Sequence, residues 1–123
     1  MDLNNITGHI VSSAIAVHTE IGPGALESSY EACMAFELMH RGLRVETQVP
    51  MPLRYRGHEL TVGYRLDLLV EDRVVVELKA VTKVLPVHHA QILSYLKMGG
   101  FRVGLLLNFH VPRMVDGIVR FAR

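Results

Sequence analysis

The stretch YRLDLLVEDRVVVELKAV, residues 64–81, decides how this chain is read. Two runs rich in Val and Leu flank the polar triplet Glu71-Asp72-Arg73, the pattern of a β-hairpin. Strand side chains alternate between faces. In the first run Tyr64, Leu66, Leu68 and Val70 share one face, and Arg65, Asp67 and Leu69 the other. In the second, Val74, Val76, Leu78 and Ala80 share one face, and Val75, Glu77 and Lys79 the other. Each run thus has an apolar face and a face that carries charge. A three-residue loop pairs Val70 with Val74 and sets Asp67 opposite Glu77. A two-residue loop would turn the two carboxylates to opposite faces, because a one-residue slip flips every side chain. Burying both apolar faces together favours the first register.

Outward from the hairpin, the chain reads as alternating helices and strands. Ile6, Ile10, Ala14, Val17 and Ile21 follow helical spacing, and Gly22-Pro23-Gly24 breaks that helix. A second helix is expected from about Ala25 to about His40, with Leu26, Tyr30, Cys33 and Glu37 on one side and Gly42 as its stop. Arg44 to Val49 alternates as a strand. Pro50 and Pro52 assign that segment to a sheet edge or a bulge. Arg54 to His58 reads as a turn, followed by strands over Leu60–Val70 and Val74–Val81. Pro86 suits the first turn of a helix running to about Met98, which Gly99-Gly100 ends. Val103 to Asn108 is a short apolar run of the buried-strand type. The tail from Pro112 to Arg123 fits either a short helix or a last strand. This order gives an α/β or α+β chain.

The 123 residues fit one domain, residues 1–123, with half of them hydrophobic. The single cysteine, Cys33, excludes an internal disulfide framework and suits a reducing compartment. No apolar stretch is long enough to span a membrane, and the first residues lack a signal-peptide pattern. A cytoplasmic protein is expected. The formal net charge of +1 decides little, since a domain that binds nucleic acid mainly by charge is usually far more basic. Any polyanion must be held locally or with help from a metal.

Two carboxylates directly opposed on a sheet have Cβ atoms roughly 4.5–5.5 Å apart and repel each other. A divalent cation is one compensation. Hard oxygen ligands suit Mg²⁺ or Mn²⁺, which use one or two carboxylates with water and phosphate oxygens. Lys79, two residues beyond Glu77, places an ammonium on the same face. This is a minimal apparatus for metal-assisted phosphodiester hydrolysis. On spacing alone a surface ion pair, which contributes little to stability, is the better reading of this cluster. Zinc is not expected. The adjacent His88 and His89 would point well apart on a helix, and no cysteine spacing supports a site.

Asp67 followed by Glu77-Leu78-Lys79 resembles the signature of the PD-(D/E)XK nuclease superfamily. Gly24-Ala25-Leu26-Glu27-Ser28-Ser29-Tyr30 resembles the naming motif of its GxxExxY branch. Ala16 to Gly24, Gln48-Val49-Pro50, Val76 to Val81, Ala90-Gln91 with Tyr95-Leu96, and Gly104 to Phe109 are similar to that branch as well. The resemblance runs from about Ile6 to about Val119. It implies an α/β restriction-endonuclease-like core, a central mixed sheet flanked by helices. It implies Asp67, Glu77 and the backbone carbonyl of Leu78 as ligands of Mg²⁺ or Mn²⁺, with Glu27 as an added acidic residue near the metal. Lys79 would be the catalytic lysine. Gln91 and Tyr95 would match the Gln-x-x-x-Tyr helix motif of related nucleases. The Pro of the Pro-Asp pair is absent, Leu66 standing before Asp67.

The expected function is therefore a metal-dependent nuclease that hydrolyses phosphodiester bonds in nucleic acid, DNA ahead of RNA. A non-cleaving module that binds nucleic acid or protein on the same fold is the alternative. An enzyme acting on another phosphate ester is a third. Glu27 in a first helical turn also suits the helix dipole, and Tyr30 one turn later reads as packing. For Gln91, holding a water or base and lying idle beside the Ile92, Leu93 and Leu96 stripe are balanced readings. His18 reads as a packing or capping residue at its helix end. A homodimer would widen the small footprint on a duplex.

Overall fold

Asp2 starts the first helix: its carboxylate accepts the backbone N–H of Asn5 at 2.8 Å, a cap that contributes about 1 kcal/mol. The computed structural model describes all 123 residues, Met1 to Arg123. Helix α1 spans Leu3–Ile21 and stops at Gly22. Helix α2 follows at Glu27–His40. Strands β1 (Val45–Tyr55), β2 (His58–Val70) and β3 (Val74–Lys79) come next. Helix α3, Pro86–Gly99, begins on its proline and ends at Gly100, whose φ of +71° suits a residue without a side chain. Strand β4, Val103–Asn108, precedes a 3₁₀ turn, Met114–Gly117, and strand β5, Ile118–Ala122. The tail thus contains both elements that its sequence allows. No helix is long and apolar enough to cross a membrane.

The sheet order is β1-β2-β3-β4-β5. β3 and β4 run parallel through the α3 crossover, and every other neighbouring pair is antiparallel. The architecture is α/β: a mixed five-stranded sheet flanked by helices, as expected. Apolar stripes explain the layers. Ile6, Ile10, Ala14 and Val17 of α1 and Tyr30, Met34 and Leu38 of α2 pack on Leu68, Val70, Val74, Val76 and Leu78. On the other face, Ile92, Tyr95 and Leu96 of α3 pack on Leu66, Leu69, Val75 and Leu106. β3 is therefore covered on both sides, and Val74, Val75 and Val76 are fully buried. At Gly104 a Cβ would lie 3.1 Å from Ile92 and Leu96, so this glycine lets α3 sit close on the sheet.

Several details differ from the sequence reading. The buried stripe of α2 is Tyr30, Met34 and Leu38, while Leu26 is exposed. Packing against α1 and the sheet sets that stripe. β1 runs through Pro50 and Pro52, because as an edge strand it offers one side without ladder bonds. Its register with β2 shifts between Met51 and Leu53. β2 begins at His58 rather than Leu60, and β3 ends at Lys79 rather than Val81. Leu66 packs with Leu69 and not with Leu68, which breaks the strict alternation expected of β2. The break lies at the level of Gln48, a non-glycine residue with φ +52° between the pairs Thr47–Leu68 and Val49–Leu66.

Candidate active site

The β2–β3 hairpin takes the three-residue loop, with Val70 paired to Val74, Leu69 to Val75 and Leu68 to Val76. Glu71 and Asp72 both adopt positive φ in that loop. Glu71 accepts the backbone N–H of Arg44 at 2.7 Å, and Asp72 pairs with the Arg44 side chain. Beyond Leu68 and Val76 the ladder stops. Side chains take over its donors: Asp67 accepts the N–H of Leu78 at 2.8 Å, and Glu77 accepts the N–H of Asp67 at 3.2 Å. The two carboxylates thus cross between the strands, each accepting a backbone N–H of the opposite strand: Glu77 from Asp67, and Asp67 from Leu78.

Glu77 is buried, with 5% of its surface exposed. Burial first, and then the charge of Asp67, push its carboxyl from an ordinary 4.5 up to about 8. The N–H of Asp67 and the charge of Lys79 oppose that rise. Tyr95, on α3, is raised as well, by burial and then by the charge of Glu77. Lys79 is half-buried and belongs to none of the chain's ion pairs, which join Arg41 to Glu37, Arg44 to Asp72 and Arg54 to Glu59. The surface-ion-pair reading of Lys79 with the carboxylates therefore does not describe this cluster.

Two clefts lie near the end of β3, and Glu77 lines neither. One, about 160 Å³, is lined by Asp67, Leu78, Glu27, Glu31, Ser28 and Gln48. Glu27, at the start of α2, lies across it and accepts the N–H of Ala80 at 3.4 Å. The other, about 710 Å³, is lined by Lys79 together with Gln91, Tyr95 and other residues of α3. Asp67 and Lys79, expected on one face, open instead onto different clefts, because β2 changes phase beside Gln48. Buried Glu77 senses both charges. No three His, Cys, Asp or Glu side chains converge on one point, so Glu27 does not close a three-carboxylate group with Asp67 and Glu77.

Two residues here went unassigned in the sequence. Gln48 donates to Glu31 and reaches Asp67 at 3.5 Å. Its sequence signal is the Gln48-Val49-Pro50 stretch of the family resemblance, which carries no role for it. Asn108 ends the apolar run of β4 and is buried. Its amide accepts the N–H of Val81 and donates to the carbonyl of Val81, at 3.1 and 2.9 Å, while Phe109 N–H bonds the carbonyl of Lys79. Asn108 thereby fixes the chain just past Lys79. A lone amide in an apolar run is the signal that could have found it.

His18 and Tyr30 have structural partners. His18 Nε2 lies 2.8 Å from the carbonyl of Val111. The Tyr30 ring stacks on Phe109 with centroids 4.2 Å apart. Its hydroxyl donates to the carbonyl of Gly22 and accepts the N–H of Ala25, so it braces the turn ahead of Glu27 rather than a site group. His88 accepts the N–H of Leu85 at the start of α3.

A helix-flanked mixed sheet carries crossed carboxylates at the end of a hairpin and a lysine two residues on. The sequence pattern of the PD-(D/E)XK nuclease superfamily matches residues 4–121, and the chain belongs to that superfamily. Its members are generally hydrolytic nucleases that use divalent metals such as Mg²⁺. No curated protein matches the chain, and no solved structure matches it.

Proposed function

We propose that this chain is a metal-dependent nuclease that hydrolyses phosphodiester bonds in DNA, with Asp67, Glu77 and Lys79 as its centre. The observation that carries the reading is the crossed pair of carboxylates, one of them buried and in none of the chain's ion pairs. A buried carboxylate beside a second one is costly unless charge arrives to balance it. That donor set fits Mg²⁺ or Mn²⁺, which need only one or two carboxylates, with backbone oxygens and water completing the shell. Asp67, Glu77 and the carbonyl of Leu78 would hold the ion, with Glu27 acting through water from across the cleft. The ion would supply positive charge where the phosphate develops negative charge.

The chain's own groups do the rest. The Lys79 ammonium faces the larger cleft, where it donates to a non-bridging phosphate oxygen or holds the attacking water in line. Gln91, on the same cleft wall, orients that water through its amide. Asn108 keeps the end of β3 in place beneath Lys79. The finer placement in the GxxExxY branch is supported by the way its motif folds. Tyr30 ties Gly22 to Ala25, and Glu27 leads α2 toward Ala80.

The test is cleavage of labelled DNA with Mg²⁺ or Mn²⁺. Asp67→Ala, Glu77→Ala and Lys79→Ala should each abolish it, and persistent cleavage in all three variants refutes the assignment.

A further inference from the structure

We propose that the groove between α3 and the β1–β2 arm seats an unpaired stretch of nucleic acid, with a base stacked on Tyr64, so that the chain prefers single-stranded or frayed substrates. This rests on the nuclease reading above and deepens it. Four observations carry it.

The first is shape. The cleft of about 710 Å³ has β2 and the arm on one side, through Tyr64 and Leu53, and α3 on the other. That volume falls in the ~300–1,000 Å³ range that encloses a small ligand. It suits one or two splayed nucleotides, whereas a duplex keeps its bases stacked inside and outside such walls.

The second is charge. Lys79 and Lys97 line the groove and none of its lining residues is acidic. A phosphate strand is complementary to that wall. His88 and Lys97, nine residues apart on α3, are separated by roughly 13 Å at ~1.5 Å per residue. That length matches a few nucleotides and not a single phosphate.

The third is the aromatic group itself. Tyr64 is 40% exposed, yet it is held by an edge contact with buried Tyr95, ring centroids 6.1 Å apart. A fixed, half-exposed ring in a cationic groove is what base stacking uses, and it tolerates any base.

The fourth is the backbone beside that ring. Between the pairs Met51–Tyr64 and Leu53–Leu60, one residue of β1 faces three of β2. Gly63 takes φ +83° in that bulge. Bulges bend a strand and re-aim the neighbouring side chain, and this one adjoins Tyr64 at the root of the arm.

The test is fluorescence anisotropy in EDTA, which separates binding from cutting. The probes are a short fluorescein-labelled oligo-dT strand and a blunt duplex of equal length. The strand should bind more tightly than the duplex. Tyr64→Ala should weaken strand binding about tenfold, Tyr64→Phe should keep it, and duplex binding should stay unchanged. A strand carrying 2-aminopurine should be quenched by the wild type and by Tyr64→Phe but not by Tyr64→Ala, a signature that a structural role for Tyr64 would not produce. Equal or tighter duplex binding, no binding of the strand, or Tyr64→Ala behaving as wild type each overturns the proposal. The outcomes separate from the nuclease reading. Tyr64-dependent strand binding without Mn²⁺-supported cleavage refutes the nuclease and leaves the groove. Cleavage of duplex with no preference for the strand does the reverse.

Discussion

Replacing Glu77 by Gln should stabilise the metal-free chain at neutral and alkaline pH. In the folded chain burial and Asp67 hold the Glu77 carboxyl at about 8, against an ordinary 4.5. Below pH 4.5 the group is protonated whether the chain is folded or not, and it contributes no pH dependence. Between pH 4.5 and 8 the unfolded chain releases this proton while the folded chain keeps it. The folded state then binds more protons, so stability falls as pH rises, by about 1.36 kcal/mol per pH unit. Carried to pH 8 the loss is roughly 5 kcal/mol, of which about 3 kcal/mol is lost by pH 7. Above pH 8 both states are ionised and the penalty is constant. Gln has the same shape and no charge, so this slope should vanish in Glu77→Gln. Urea unfolding followed by circular dichroism in EDTA, at several pH values from 5 to 8, measures the difference. The variant should gain on the wild type with each pH step. Mn²⁺ should then stabilise the wild type at pH 7 and flatten its pH dependence, with little effect on the variant. Parallel stability curves for the two proteins in EDTA would refute the argument, because they would mean that Glu77 ionises in the folded chain as it does in water.

Three further outcomes follow from particular contacts. Asn108→Ala leaves the N–H and carbonyl of Val81 without partners, and should cost about 2–4 kcal/mol in urea unfolding along with most of the cleavage rate. Gly117→Ala would set a Cβ 2.0 Å from the backbone oxygen of Asn108, so thermal unfolding should show a loss of about 3 kcal/mol or more. Gln48→Ala should slow cleavage while leaving stability within about 1 kcal/mol, since its exposed amide touches only Glu31 and Asp67 and packs no core.

The sequence showed the hairpin and its register plainly, because two apolar faces had to be buried together and only an odd loop allows it. The α1 stripe from Ile6 to Val17, Ile92 and Leu96 on α3, the β4 run and the Asp67–Glu77 encounter were legible for the same reason: periodicity records burial. Ile21 and Leu93, read into those stripes, are exposed, and Tyr95 takes the place of Leu93 in the α3 layer. The change of phase in β2 was not legible. It lies at the level of Gln48, whose backbone is left-handed on the neighbouring strand, and alternation within one strand carries no information about its neighbour. The split of Asp67 and Lys79 between two clefts is hidden for that reason too. In and just before α2, Phe36 and Leu26 look as apolar as Met34, and only the packed neighbours decide which are covered. The prolines of β1 were read correctly as an edge. That the edge grows into an arm over a groove depends on a register shift that no residue type announces.

The placement of the site follows from how β3 is held. On one side, β3 pairs with β4 along its whole length, from Val74–Val103 to Lys79–Asn108, and Asn108 ties down the residues that follow. On the other side, its pairing with β2 ends at Val76, and carboxylates replace the ladder. A strand fixed along one edge and opened along the other can present backbone and side-chain oxygens without losing its position. Opening both edges would leave Glu77 and Lys79 mobile. Closing both would pair the backbone N–H groups that Asp67 and Glu77 now accept. The price of this arrangement is the buried Glu77 carboxylate, and the surrounding core of Val74, Val75, Val76 and Leu78 supplies the stability that tolerates it. Relieving that penalty by Glu77→Gln should therefore stabilise the fold and end catalysis at once, the trade expected where a strained group serves function rather than folding.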